Sequence, residues 1–426
     1  MTDMKTLTRL IMGLMALLMI PTFHLTAQVE TPTGDFITVE GLVRDKESKK
    51  KLEYVNIAVA GTNIGTVTNA DGAFSIKIQK AFSNRPVEVS HIGYLNTVIP
   101  LSGKDISGYT VYLEPNPTSL DEVIIRGGDA RPIVLEAMSK IPTNYPATES
   151  LLTGFYRETA QKGRRYITIS EAIIDIYKTA YKRVDASSDR VQILKGRKLL
   201  SPKVSDTLIV KLLGGPNLSL YVDIVKNPYL LLDPELMPYY AFRLEGSTVL
   251  EERPHYVIDF QPQASLPYAL YKGKLYIDKK RLSFSRAEFE LDMSDRLKAT
   301  DAILKKKPFG LRFRPIGVTY LVTYSERQGV TWLNYIRNEI RFKCDWKRKL
   351  FSTNYTMTSE MVVTDGKMAE ERIPYKISFK SNQSLSDKVS DFTDEQFWGD
   401  YNIIEPTESL ENAVHKLKKW HEKDKK

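Results

Sequence analysis

The chain has 426 residues, 42% of them hydrophobic and 27% charged, with a formal net charge of +9 and a single cysteine, Cys344. That length allows two or three domains and a sizeable core. One cysteine excludes an internal disulfide, so stability has to come from burial.

Lys5 and Arg9 precede an apolar run from Ile11 to Ile20, broken only by Gly13, and Pro21 ends it. Ala27 then supplies a small residue before Gln28. This order predicts a secretory signal peptide over residues 1–27. The run is shorter than the roughly 20 residues a membrane-spanning helix needs, although an uncleaved anchor is the alternative. No cysteine lies near the predicted cut, so the usual lipid-attachment residue is missing. The segment carries Lys5, Arg9 and Asp3, a net +1, which leaves +8 on the rest. The expected location is the periplasm or the outer membrane. There a basic protein meets anionic lipid or polysaccharide rather than nucleic acid.

Residues 36–114 read as short strands. Val39, Gly41 and Val43 share one side, as do Val55, Ile57 and Val59, then Phe74, Ile76 and Ile78, then Val87 and Val89, then Val111 and Leu113. A period of two with turn residues between segments predicts an antiparallel β-sandwich. Gly61 to Thr66 and Asn69-Ala70-Asp71-Gly72 are the clearest turns.

The ordered residues Gly41, Val43, Asp45, Leu52, Val55, Asn56, Val59, Gly61, Thr62, Gly65, Thr66, Thr68, Asp71, Gly72, Phe74, Ile92, Gly93 and Tyr94 resemble the carboxypeptidase regulatory-like domain of Bacteroidetes envelope proteins. That resemblance implies a transthyretin-like sandwich of about seven strands with no zinc of its own. Similar modules precede the plug of TonB-dependent receptors. Here no plug-like sequence follows Gly127-Gly128, and the remaining chain is too short for a transporter barrel.

Residues 115–128 have linker composition, with a short strand expected from Glu122 to Arg126. A helix is expected next, capped by Asp129, with Ile133, Val134, Ala137, Met138 and Ile141 on one face and Pro142 at its end. Residues 129–405 then predict a large curved antiparallel sheet or half-barrel, so the chain as a whole is expected to be mainly β with few helices. Its expected strands are Gly154 to Thr159, Tyr166 to Tyr177, Phe242 to Leu250, His255 to Gln261, Lys274 to Asp278, Phe284 to Met293, Gly317 to Ser325, Trp332 to Trp346, Phe351 to Val363 and Tyr375 to Phe379. Glu326 to Gly329 and Asp365-Gly366 read as hairpin turns. Residues 185–239 read as a loop-rich insertion over the sheet, helical at Leu208 to Leu213 and Leu218 to Val225. Residues 406–426 predict an amphipathic helix with a basic tail. Glu408 and Glu411 lie in its first turn, and Lys416, Lys418 and Lys419 near its end. Its narrow stripe of Leu410, Val414 and Leu417 suits packing on its own domain, with contact to anionic lipid as the rival.

Gly273 to Arg281 followed by Arg286 to Phe289 resembles the meander of the LolA-like periplasmic lipoprotein-carrier fold. Ile141 to Pro146, Gly154 to Glu158 and Phe397 to Asn402 resemble a Bacteroidetes family that joins the same sandwich to this second region. Both resemblances imply architecture and no mechanism.

No HExxH, GxSxG elbow or phosphate loop is present. His91 and His255 lack a nucleophile signature nearby, and His255 is expected on the polar side of its strand. His415 and His421 sit on different faces of the last helix. No catalytic residue, cofactor or metal is therefore expected. Cys344 alternates with charged residues on the side of Phe342 and Trp346, as a buried small hydrophobe does. The polar cluster of interest is Tyr156, Arg157 and Glu158, with Tyr240 and Tyr271 near the mouth of a proposed cavity. It reads either as a buried charge bridge or as ligand contacts, the tyrosines suiting a glycan or apolar ligand. The expected function is a non-catalytic envelope protein that binds or scaffolds an envelope protein partner. The alternatives are a carrier of lipid or another apolar ligand in the concave sheet, and a hydrolase.

Overall fold

The computed structural model describes residues 35–116, 128–183, 185–206, 210–212, 215–346, 352–392 and 397–424. The predicted signal segment and the short strand expected at residues 122–126 lie outside them.

Seven strands build the first layer pair: β1 (Phe36–Asp45), β2 (Asn56–Val59), β3 (Gly65–Val67), β4 (Ala73–Gln79), β5 (Val87–Ser90), β6 (Thr97–Ile99) and β7 (Ile106–Leu113). One sheet runs β4-β1-β7 and the other β3-β2-β5-β6. The residues of period two meet between them: Val39, Val43, Ile57, Phe74, Ile76, Val89 and Val111 lie in one buried core. In the Asn69–Gly72 turn, Asn69 Oδ1 accepts the N–H groups of Asp71 at 2.8 Å and Ala73 at 3.0 Å. Gly72 there has φ +73°, and a Cβ would sit 2.7 Å from the Val43 carbonyl, so only glycine fits.

After α1 (Arg131–Ser139) and α2 (Ile141–Asn144) come three strands, β8 (Ser150–Lys162), β9 (Arg165–Lys178) and β10 (Arg190–Leu200). The chain then forms β11 (Lys211–Leu212) and α3 (Pro216–Tyr221). A meander follows, with β12 (Tyr240–Leu250), β13 (Arg253–Pro262), β14 (Tyr271–Asp278), β15 (Phe284–Leu291), α4 (Arg296–Ile303), β16 (Leu304–Lys306), β17 (Leu311–Arg327), β18 (Val330–Trp346) and β19 (Thr353–Met368). Last come β20 (Ser390–Asp391) and α5 (Glu408–Asp424).

Eleven strands join in the order β12-β13-β14-β15-β17-β18-β19-β8-β9-β10-β20, an open curved sheet. The segment after β10 crosses the concave face to reach β12 at the far edge, and the meander returns until β19 pairs with β8, Tyr355 opposite Lys162 through Met368 opposite Ser150. The concave face packs against α1 and the crossing segment: Leu152, Tyr156, Ile174 and Phe260 share a core with Val134, Leu220, Val225 and Leu232. The back face carries Phe155, Ile173, Tyr335 and Val362 against Val67 of the sandwich and Trp398 and Ile404 of a strap before α5.

Several expectations need correction. Tyr375 to Phe379 forms turns, not a strand; Pro374 offers no N–H, and the segment meets β10 through the Phe379 N–H on the Val191 carbonyl, 2.7 Å. Asp365-Gly366 is a bulge inside β19, because pairing with β8 resumes beyond it. Arg190–Leu200 is a strand, so the insertion begins at Ser201. The clean alternation was hidden because most of β10 is only half-buried and its register shifts after Ile193. The helix expected at Leu208 to Leu213 is not formed at Lys211–Leu212, which pairs with β16. That expected at Leu218 to Val225 stops at Tyr221, where the chain turns into the core. α4 was not anticipated; Asp295 caps it, accepting the N–H groups of Leu297 and Lys298.

Candidate functional site

Strand alternation divides the polar cluster of β8. Tyr156 and Glu158, two apart, face the concave side, and the Tyr156 hydroxyl donates to Glu158 Oε2 at 3.0 Å. Arg157 points to the back. Its Nε donates to Glu171 Oε1 at 2.7 Å and its Nη2 to the Ile404 carbonyl at 2.8 Å. Glu171 also accepts from Arg197 Nε at 2.9 Å. Two guanidiniums hold the Glu171 carboxyl below its ordinary value against the opposing effect of burial. Arg157 is therefore a buried strut, not a ligand contact.

Glu158 lies at the junction of two hollows. The first, about 220 Å³, is lined by Tyr271, Tyr320, Leu230, Ile303, Ile340 and Met357, with Asn338 and Ser359 beside Glu158. The second, about 330 Å³, shares Glu158 and Met357 and continues past Ala160, Ile167, Val210 and Leu212 to Leu200, Ser201 and Lys305. Burial raises the Glu158 carboxyl above its ordinary value, partly offset by bonds from Tyr156 and the Gly215 N–H. Asn338 is 3% exposed. Its Nδ2 donates to Ser359 Oγ at 3.2 Å, while its Oδ1 has no protein partner. A buried acceptor left open beside an apolar hollow is costly unless something fills it.

Tyr271 forms one wall, its ring edge-on to Phe289 at 5.6 Å and to Tyr320 at 5.9 Å. Burial pushes its phenol up to about 12. Tyr240 is fully buried and stands behind that wall, accepting the Tyr271 N–H at 3.2 Å. The structure thus brings Tyr156, Glu158 and Tyr271 to the concave face, with Tyr240 as support. Asn338, Ser359 and Tyr320 were missed. They come from β17, β18 and β19, whose neighbourhood to β8 is fixed only by strand order.

A second buried constellation also escaped the sequence. Lys178 Nζ lies 2.9 Å from Asp223 Oδ2 and 3.4 Å from Asp189 Oδ2. The hydroxyls of Tyr181 and Tyr324 donate to Asp223 at 3.0 and 2.7 Å. Lys226 Nζ donates to the carbonyls of Ala180 and Arg183 at 2.9 and 2.6 Å. These groups pin the crossing segment into the concave face.

His255 is fully buried, which corrects its expected place on a polar face. One ring nitrogen, Nδ1, lies 2.8 Å from the Arg253 carbonyl, so it carries the proton. The other, Nε2, lies 2.8 Å from Ser285 Oγ and accepts from it. The pairing resembles a nucleophile and base, yet Ser285 is 6% exposed and lines neither hollow. His91 meets the back of the sheet near Arg286, and burial lowers its imidazole to about 3. Cys344 is buried, its thiol pushed up to about 11 by desolvation. Among the described residues no three His, Cys, Asp or Glu side chains gather as a metal site.

Residues 39–125, about a fifth of the chain, match the CarboxypepD_reg-like domain. No curated protein matches the chain. Among solved structures it is similar to a DUF1329 family protein from Desulfovibrio piger, with 10% identity over 57% of this chain and 92% of that one and a TM-score of 0.23. It is also similar to a protein of unknown function from Bacteroides fragilis, with 8% identity over 78% of this chain and 98% of that one and a TM-score of 0.15.

Proposed function

We propose that this is an exported, non-catalytic binding protein that holds a small, largely apolar ligand in the cleft on the concave face of the eleven-stranded sheet. The open Asn338 Oδ1 beside Glu158, set among Tyr320, Ile340 and Met357, carries the reading. Together the two hollows reach the range of about 300–1,000 Å³ usual for small-ligand sites. The ligand has an apolar body and one hydrogen-bond donor, an alcohol, amide or amine, that reaches Asn338 and Glu158. The leading segment supports export. The sealing of Ser285 and His255 from both hollows favours binding over hydrolysis. The carrier likeness of residues 273–289 agrees with a lipid as the ligand, although the crossing segment fills much of the concave face and leaves no space for several acyl chains.

The test is extraction of the purified protein with organic solvent, mass spectrometry of what co-purifies, and displacement of a dansyl fatty alcohol by the extract. Met357→Trp, which fills the junction of the hollows, should abolish saturable probe binding. Asn338→Leu should weaken it about tenfold through the lost hydrogen bond. Equal binding by the parent and Met357→Trp would remove the cleft as the site.

A further inference from the structure

One end of the eleven-stranded sheet faces away from the sandwich. The sandwich is bonded at the other end, through Arg327 Nη1 to the Asn63 carbonyl at 2.6 Å and the Gly93 N–H to the Val249 carbonyl at 2.7 Å. At the far end β17 begins beside the last residue of β18, Leu311 opposite Trp346, and β8 turns into β9 at Gly163. The stretch leading into β17 reads Lys305-Lys306-Lys307-Pro308-Phe309-Gly310-Leu311-Arg312-Phe313-Arg314, five basic residues and no acidic one in ten. All five basic side chains are exposed, as is Arg164 in the β8–β9 turn.

Lys305 and Lys307 donate to the carbonyls of Ser381 and Leu311, at 3.2 and 2.8 Å. Among the described residues, Asp345 is the acidic partner of the two guanidiniums, Arg312 at 3.8 Å and Arg314 at 3.5 Å. Within the same end stand large apolar side chains turned to solvent. Phe309 is 99% exposed at the tip, Leu297 of α4 78%, and Tyr268 between β13 and β14 51%. Cations in the same stretch as an exposed aromatic tip match a bilayer interface: lysines sit at anionic headgroups, and the ring and leucine enter the acyl boundary. A soluble polyanion would use the lysines and give Phe309 and Leu297 nothing to bury in.

We propose that this pole, from Lys305 to Arg314 with Leu297 and Tyr268, is a docking surface for an anionic lipid bilayer. The hollow lined by Leu200, Ser201 and Lys305 reaches the same end, so docking would set the mouth of the cleft against the membrane. The docking itself stands whatever the cleft holds.

The test uses residues 28–426, which retain the compact unit Asp35–Lys426 and omit the apolar run that would bind lipid by itself. Co-sedimentation compares phosphatidylglycerol–phosphatidylcholine vesicles with pure phosphatidylcholine vesicles. The protein should prefer the anionic vesicles and release them as salt rises. Replacing Lys305, Lys306 and Lys307 by Gln should weaken partitioning about fivefold per lysine, and Phe309→Ser about tenfold. An unchanged thermal midpoint should accompany both, since these side chains are exposed. Lys416→Gln with Lys419→Gln on α5 should leave binding unchanged. Three results would overturn the proposal: equal affinity for both vesicle types, including none for either; loss of binding through the α5 variant in place of the pole; or a soluble acidic polysaccharide bound as tightly by Phe309→Ser as by the parent.

Discussion

Lys178 has no exposed surface and faces two carboxylates, Asp223 and Asp189. Breaking such a set by removing one member strands charge in a medium that cannot solvate it. Lys178→Met should therefore cost about 3–5 kcal/mol in urea denaturation; a loss near zero would show that the crossing segment is held by apolar packing alone. Glu158 gives an opposite sign. Its carboxyl is raised in the folded state, so the fold binds a proton more tightly than the unfolded chain does, and its ionisation opposes folding as pH rises past the ordinary carboxylate range. Glu158→Gln should raise the thermal midpoint at neutral pH, and the gain should vanish on acidification below about 4. His91 works at another window. Its folded value of about 3 lies below the ordinary 6.5, so the unfolded chain protonates first and stability falls as pH drops from 6.5 towards 3. His91→Asn should flatten that part of a stability–pH profile. At this scale the sequence was half legible. Alternation along β8 separates Tyr156 and Glu158 from Arg157, but it cannot say which face is covered by the sandwich and which is hollow. Nor can it bring Asn338 to Glu158, because that meeting depends on two intervening strand pairings.

Among the elements, the strap before α5 has the most to hold. Asn402 Oδ1 accepts the Lys77 N–H at 2.7 Å, and its Nδ2 donates to the Lys77 carbonyl at 3.1 Å. Thr66 Oγ1 donates to the Ile403 carbonyl at 2.9 Å, and Asn69 Nδ2 to the Pro406 carbonyl at 3.0 Å. The strap thus pairs with the edge of β4 by a side-chain amide that mimics a strand. Asn402→Ala should cost about 1–3 kcal/mol, since it strands both Lys77 groups, with the loss read by chemical denaturation. Helix α5 was legible from its acid-first, base-last pattern and its stripe; Leu410 and Leu417 pack on Ile169 and Leu199. The strap was not, because its carbonyls accept from Thr66 in β3 and Asn69 in the turn, residues that in the sequence read equally well as ordinary turn chemistry.

For the whole molecule, sandwich and sheet share the buried cluster of Val67, Phe155, Tyr335 and Trp398. Tyr54 of the sandwich stacks on Tyr335 at 5.4 Å. Differential scanning calorimetry of residues 28–426 should accordingly give one transition, with Thr66→Val lowering it as a unit. Two resolved transitions would mean that the sandwich melts on its own. The mainly β architecture and the open curved sheet were legible from periodicity. The order of strands was not, since alternation carries no information on which edges meet.

That order has a consequence for how the chain matures. β8 finds one neighbour at once, in β9, but its other neighbour is β19, which is made only after β9 to β18. Until Thr353–Met368 emerges, the early hairpin presents an open, hydrogen-bond-hungry flank to other chains, a state prone to aggregation. A polypeptide made from its N-terminus has to wait with that flank bare, so a holding chaperone would matter more to its yield than the intrinsic speed of any local hairpin.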